Sequence, residues 1–167
     1  MFIDDCKEPE PVFCHFYENL IEYGPYSENI VRTYAKKLID LIEFMHEKGI
    51  KNGFYPEDLY IEKMTYQLRI DNYGDRLFFK AKDSQEGLND NWSFGNVIFT
   101  FFNRYPPYSQ PTTTDKFYLL LKNKNYAKFW EKSKRKNNTP NSVVSLLNRS
   151  FNDENSWKSI VDDQWFT

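Results

Sequence analysis

Cysteine and histidine are scarce in this 167-residue chain: Cys6 and Cys14 are the two cysteines, His15 and His46 the two histidines. No Cys-x-x-Cys, Cys-His or Ser-His-Asp arrangement is available, which excludes a disulfide framework, a zinc finger and a triad hydrolase. Both histidines are read as satisfied core or surface residues rather than metal ligands. Long apolar runs are also missing, none approaching the ~20 residues that a membrane-crossing helix needs. The chain opens without a charged leader followed by an apolar stretch, so the expected compartment is reducing and intracellular, the cytoplasm, with both thiols packed or idle. Nor is there a large charge of one sign: the formal net charge is −2, which makes no case for nucleic acid as a partner.

What the chain has in abundance is aromatic side chains, 15 Phe, 12 Tyr and 4 Trp, or 19% of positions. That composition excludes extended disorder over most of the length, and a single domain of this size buries roughly 70% of the surface its unfolded chain exposes. Only the Lys/Asn-rich stretch 132–141 approaches low complexity. Charge is spread unevenly. Lys122, Lys124, Lys128, Lys132, Lys134, Arg135 and Lys136 meet only Glu131 in their own stretch, while the first 28 residues hold mostly acids. A solvated basic face is the plain reading, and a docking site for an anionic surface is the alternative.

The opening "MFIDDC" suggests a short strand, and Glu10 to Ile21 a helix with a mixed aromatic face. Ser27 reads as an N-cap, and apolar residues recur at Ile30, Val31, Tyr34, Leu38, Leu41, Ile42 and Met45 before Gly49, which predicts a long amphipathic helix. Leu59 to Ile61 and Gln67 to Ile70 predict a β-hairpin. From Trp92 to Phe102 apolar residues cover every face, the pattern of a helix buried all round, with Asn89 or Asp90 as its cap. "RYPPYSQP" ends that helix, and Thr114 and Asp115 open the next. Thr139 caps another with Pro140 at its first position, and Trp157 to Asp163 form the last. The fold class is mainly α.

Long helix, hairpin, buried central helix and helical tail, in that order, resemble the C-terminal lobe of eukaryotic protein kinases. "YGPYSENIVRTYAKKLIDLIEFMHEKGI" is similar to helix E, "PEDLYI" to the end of the catalytic loop and its following strand, and "DNWSFGNVIFTFFNRYPPY" to helix F and its exit. "FWEKSKRK" and "VVSLLNRSFNDENSWKSIVDDQWF" resemble the closing helices, as in calcium/calmodulin-dependent-type serine/threonine kinases. The resemblance runs over almost the whole chain. It implies one kinase C-lobe-like domain over 1–167, a helical bundle around a buried central helix with a small hairpin. Residues 1–9 would be a hinge-like segment and 75–89 a shortened activation segment without Ala-Pro-Glu. It implies structural roles for His46 in helix E, for Asp90 as acceptor of catalytic-loop backbone donors, and for Trp92 and Gly95 in helix packing.

Against the family pattern the chemistry is missing. The chain shows no Gly-rich loop, no strand with a phosphate-binding Lys and no helix with its partner Glu, so the N-lobe is expected to be absent. The catalytic Asp position falls on or beside Gly53, and neither Gly53 nor Phe54 can orient a hydroxyl or accept its proton. Tyr55 stands for the phosphate-contacting Lys. At the family's Asp-Phe-Gly the chain reads Asn72, Tyr73 and Gly74, and the amide of Asn72 is a poor magnesium ligand. Trp157 replaces the Arg that would pair with the missing Ala-Pro-Glu glutamate, so both halves of a buried ion pair are lost together.

The resemblance therefore implies a catalytically inactive pseudokinase lobe without a cofactor, serving as an interaction or scaffolding module for a protein partner or a second copy. Three alternatives stay open, one of them a basic-face module using Lys122 to Lys136 for an anionic surface. Asp58 and Asn72 have exchanged the chemical types of the family's metal pair, leaving a weakened metal–nucleotide site unless Asp58 merely caps its loop and Asn72 makes a turn; or a separate N-lobe-like partner completes the subunit. Tyr60 would fill the apolar floor on which adenine lies in the family. With nothing above it, Phe2, Phe13, Phe16, Tyr17 and Tyr60 are expected to form an exposed aromatic patch where a partner binds.

Overall fold

The computed structural model describes residues 13–49, 53–62, 65–70, 89–133 and 138–167. Among these, seven α-helices are joined by one three-stranded antiparallel sheet. The sheet contains the expected hairpin, β2 (Leu59–Glu62) with β3 (Leu68–Ile70), and gains a third strand, β1 (Phe13–His15). Its order is β1-β2-β3, with Cys14 opposite Ile61 and Tyr60 between His15 and Arg69.

The helix expected over Glu10 to Ile21 is displaced. Phe13–His15 is strand because its backbone groups pair with β2, and α1 runs only from Phe16 to Tyr23. His15 closes the helix start, its Nδ1 accepting from the Tyr17 amide at 3.3 Å. The opening "MFIDDC" lies outside the described residues.

The long helix α2 (Glu28–Glu47) is capped by Ser27, whose hydroxyl accepts from the Ile30 amide at 3.4 Å. Its stripe of Val31, Tyr34, Ala35, Leu38, Ile39, Ile42 and Met45 is buried, while Ile30 stays exposed. After it the chain turns at Gly49 with φ +78°. Helix α3 (Asp90–Asn103) is the axis: all fourteen of its residues are buried. Asn89 caps it, accepting from the Trp92 amide at 3.0 Å. Such a helix has no wet face, and α2 and α6 (Asn141–Ser150) pack against it.

Two features set the closeness of that packing. A β-carbon on Gly95 would come within 2.9 Å of Phe151 and 3.0 Å of the Ser150 Cβ, so glycine there lets the end of α6 reach α3. Trp92, fully buried, meets Phe151 at 5.3 Å and Tyr118 at 5.6 Å between ring centroids.

Helix α4 (Lys116–Lys122) begins at Asp115, whose carboxylate accepts from the Phe117 and Tyr118 amides at 2.9 and 3.0 Å. Helix α5 (Tyr126–Ser133) follows. Thr139 does not cap α6. Pro140 takes the cap position, because the Thr139 hydroxyl accepts instead from Asn103 Nδ2 at 2.9 Å. Helix α7 (Trp157–Val161) is shorter than expected and passes into a 3-10 turn, Gln164–Phe166. That turn is tied back to the start of α2: the Trp165 indole donates to Glu28 at 2.9 Å and Arg32 Nε to the Trp165 carbonyl at 2.7 Å. No described helix is long and apolar enough to cross a membrane.

Candidate functional site

The loop that carries the site candidates is bolted to the first turn of α3. The Gly53 amide donates to Asp90 Oδ1 at 3.2 Å, the Phe54 amide to the Ser93 hydroxyl at 2.8 Å, and the Phe54 ring is fully buried. Asp90 Oδ2 is held by His46 Nε2. Both oxygens of a nearly buried carboxylate are therefore committed to scaffold, one by a backbone donor and one by a ring on α2. Gly53 itself has φ +67°, the left-handed region, and a β-carbon there would meet Ser93 Oγ at 2.9 Å and the Asn89 carbonyl carbon and oxygen at 3.1 Å.

Further along the loop, Pro56–Asp58 form a single 3-10 turn. Asp58 Oδ2 accepts from the Tyr55 amide at 3.0 Å, so its carboxylate folds back onto its own loop. Asn72 lies outside the described residues. Among the described residues no group of three or more His, Cys, Asp or Glu is placed to hold a metal ion.

The strands raise one face of the small sheet toward the outside of the helices. Leu59 and Ile61 are fully buried and Tyr60, alternating with them, is half-buried on the other face. His15 meets Tyr60 edge-on at 5.4 Å, and its Nε2 lies 2.7 Å from the Glu57 carbonyl. The Arg69 guanidinium lies 4.6 Å from the Phe13 ring and 5.3 Å from the Tyr60 ring. Tyr17 is half-buried beside them; burial, with the Glu57 carboxylate adding to it, pushes its phenol well above the ordinary value.

Of the expected exposed aromatic patch, Phe13, Tyr17 and Tyr60 are half-buried rather than open, and one residue turns fully inward. Phe16 is fully buried, meeting Phe101 of α3 edge-on at 4.8 Å, because the helix starts there and turns that ring into the core. Phe2 lies outside the described residues. What remains is Phe13, Tyr17 and Tyr60, joined by His15 and by Arg69, which the sequence did not mark. The pairing of β1 with β2 brings them together, and no local sequence signal announces it.

Trp157, the first residue of α7, lies edge-on to His46 at 6.0 Å and to Phe94 at 5.9 Å. Its indole nitrogen is buried and finds no acceptor among the described residues. The basic stretch is less exposed in charge than its sequence implies. Lys122 pairs with Asp153 and Lys124 with Glu154, each at 2.8 Å, acids supplied by the turn after α6. Lys134, Arg135 and Lys136 lie outside the described residues. Asp153 is a second anchor the sequence did not mark, accepting also from the Trp92 indole at 2.7 Å and Asn89 Nδ2 at 3.0 Å. Burial would raise its carboxyl, but Lys122 and these two donors outweigh it and hold the group below the usual carboxylate range.

The described residues form a mainly helical bundle around one buried helix, with a loop fixed by an Asp-His pair. No family model matches the chain. Among curated proteins it is similar to CBL-interacting protein kinase 8 of Oryza sativa subsp. japonica, at 24% identity over 181 residues. The similarity covers 90% of this chain and 38% of that protein, so the chain spans well under half the length of its relative.

Proposed function

We propose that the chain is a catalytically inactive, protein-kinase-like C-lobe that acts as a protein-interaction module. The observation that carries this reading is the packing at Gly53. Phosphoryl transfer needs a carboxylate at this place in the loop to position the attacking hydroxyl, and here the backbone is left-handed and closed against Asn89 and Ser93. Tyr55 in place of a phosphate-contacting lysine, and an Asp58 carboxylate turned onto its own loop, agree with it. The contacts of Asp90, His46 and Trp92, all of them to scaffold groups, support the same reading. The partner surface in this reading is the sheet face of Phe13, Tyr17, Tyr60 and Arg69, aromatic and arginine side chains of the type that anchor interfaces.

The test is transfer of radiolabelled phosphate from ATP to generic peptides and to the chain itself, with melting in ATP and magnesium alongside. No transfer above a heat-treated control is expected, and no melting shift. Saturation at 100 times a dissociation constant would stabilise by about 2.7 kcal/mol, a shift of several degrees. Transfer that disappears in Asp58→Ala overturns the reading.

A further inference from the structure

Four tyrosines from three separate parts of the chain meet at a cavity between α1, the start of α2 and the turn joining β2 to β3. The cavity is about 120 Å³ and is lined by Asn19, Tyr23, Tyr26, Tyr34 and Tyr66. The rings stand as walls at angles to one another: Tyr26 and Tyr34 are 5.7 Å apart at 60°, Tyr34 and Tyr66 5.3 Å apart at 78°. Tyr34 is backed by Phe101, stacked at 4.9 Å, so this wall rests on the central helix. Tyr66 closes the cavity from the turn with φ +59° and remains partly exposed, as does Tyr23.

The polar atoms of Asn19 and Tyr26 are occupied locally. The Tyr26 hydroxyl donates to the Asn19 side-chain oxygen, and Asn19 Nδ2 donates to Cys14 Sγ at 3.5 Å. Burial pushes the Tyr26 phenol up to about 12 and raises that of Tyr34 further, so both rings are neutral at physiological pH. What the box offers a ligand is the faces and edges of phenol rings together with their oxygens. Ring faces carry the negative side of the aromatic quadrupole, which repels anions and attracts a cation that does not need hydrogen-bond acceptors. Helix α1, which supplies one wall, carries Glu18 and Glu22 and no basic residue. The space is comparable to the roughly 150 Å³ apolar cavity that takes a benzene, the size class of a trimethylammonium head.

We propose that the Tyr23, Tyr26, Tyr34 and Tyr66 box is a binding site for a quaternary ammonium cation of the choline class. The inference is independent of the loop at Gly53 and of the sheet face, and it stands or falls without them.

The experiment is a titration of the whole chain with choline, followed by amide chemical shifts and calorimetry, beside its neutral isostere carrying a tert-butyl group. Choline is expected to bind, to shift resonances around Asn19 and Tyr66, and to outcompete the isostere clearly. Tyr66→Leu, at an exposed turn where circular dichroism can certify the fold, should weaken binding about fivefold, the loss of ~1 kcal/mol of cation–π attraction at 1.4 kcal/mol per tenfold. Tyr34→Phe keeps the ring and should keep the affinity. Glycerophosphocholine separates the sources: choline binding alone assigns the free cation, and equal binding assigns a lipid-derived headgroup. Absence of binding at millimolar choline, equal binding of the isostere, or a folded Tyr66→Leu that binds as the parent does, each overturns the assignment.

Discussion

Replacing Gly53 by alanine measures directly whether the loop is closed at this position, on which the proposed function rests. Two costs add. An L-residue held in the left-handed region at φ +67° costs about 1–2 kcal/mol. The new methyl would also press on Ser93 Oγ at 2.9 Å and the Asn89 carbonyl at 3.1 Å. Neither neighbour yields freely: Ser93 Oγ holds the buried Phe54 amide, and Asn89 is the cap of α3. Overpacking of this kind costs about 1–3 kcal/mol. Against these, the stiffer unfolded chain returns about 0.4–1 kcal/mol. The balance is a loss of about 3 kcal/mol, or about 6–12 °C in Tm at the 2–4 °C per kcal/mol that suits a domain of this size. Thermal unfolding followed by circular dichroism reads it. Gly53→Asp should lose at least as much, since its carboxylate would arrive beside Asp90, and it should gain no phosphotransfer. A Gly53→Ala protein that melts with the parent would refute the reasoning, for the loop would then have room for a side chain.

Phe16→Ala should cost about 3–5 kcal/mol, as removal of a fully buried ring does, whereas Tyr60→Ala should melt within a few degrees of the parent; comparable losses would mean that both rings are core. Acid should loosen the tie between α2 and the C-terminal turn. The Trp165 indole and Ser142 hydroxyl hold the Glu28 carboxyl below its ordinary range, opposed by burial and helped by Arg32. A carboxyl whose folded pKa is depressed contributes fully above its unfolded value, about 4.3, and loses that contribution as pH falls through the folded value. Melting curves between neutral and strongly acidic pH should therefore fall less steeply for Glu28→Gln than for the parent, and parallel curves would assign the acid response to other groups.

Helices α2 and α3 were legible because their signals are local: a 3.6-residue apolar stripe in one, apolar residues all round in the other, and caps at Ser27 and Asn89. Asp115 announced α4 in the same way. What the sequence concealed was decided across distance. Phe13, Phe16 and Tyr17 carry helical spacing, yet Phe13 became strand because β2, far along the chain, offered hydrogen bonds that a helix start could not match. That change turned Phe16 inward and removed it from the patch. Thr139 had the chemistry of a cap and lost the role to Asn103, a residue of the central helix. The tyrosine box was invisible for the same reason, since Tyr26, Tyr34 and Tyr66 share no spacing until the hairpin turn folds over α1 and α2.

The burial of all fourteen residues of α3 has a consequence for how the chain must be made. During vectorial synthesis α3 emerges before α6, the helix that covers its remaining side. Until then much of its apolar surface, covered only in part by Tyr118 and Phe129, lies open to water and to other nascent chains. The interval between Asn103 and Asn141 is thus the hazardous stretch of biosynthesis. A ribosome stalled there would release a species suited to aggregation or to a chaperone, and the arrival of Val143, Leu146 and Leu147, then of Trp157 on Phe94, ends the exposure.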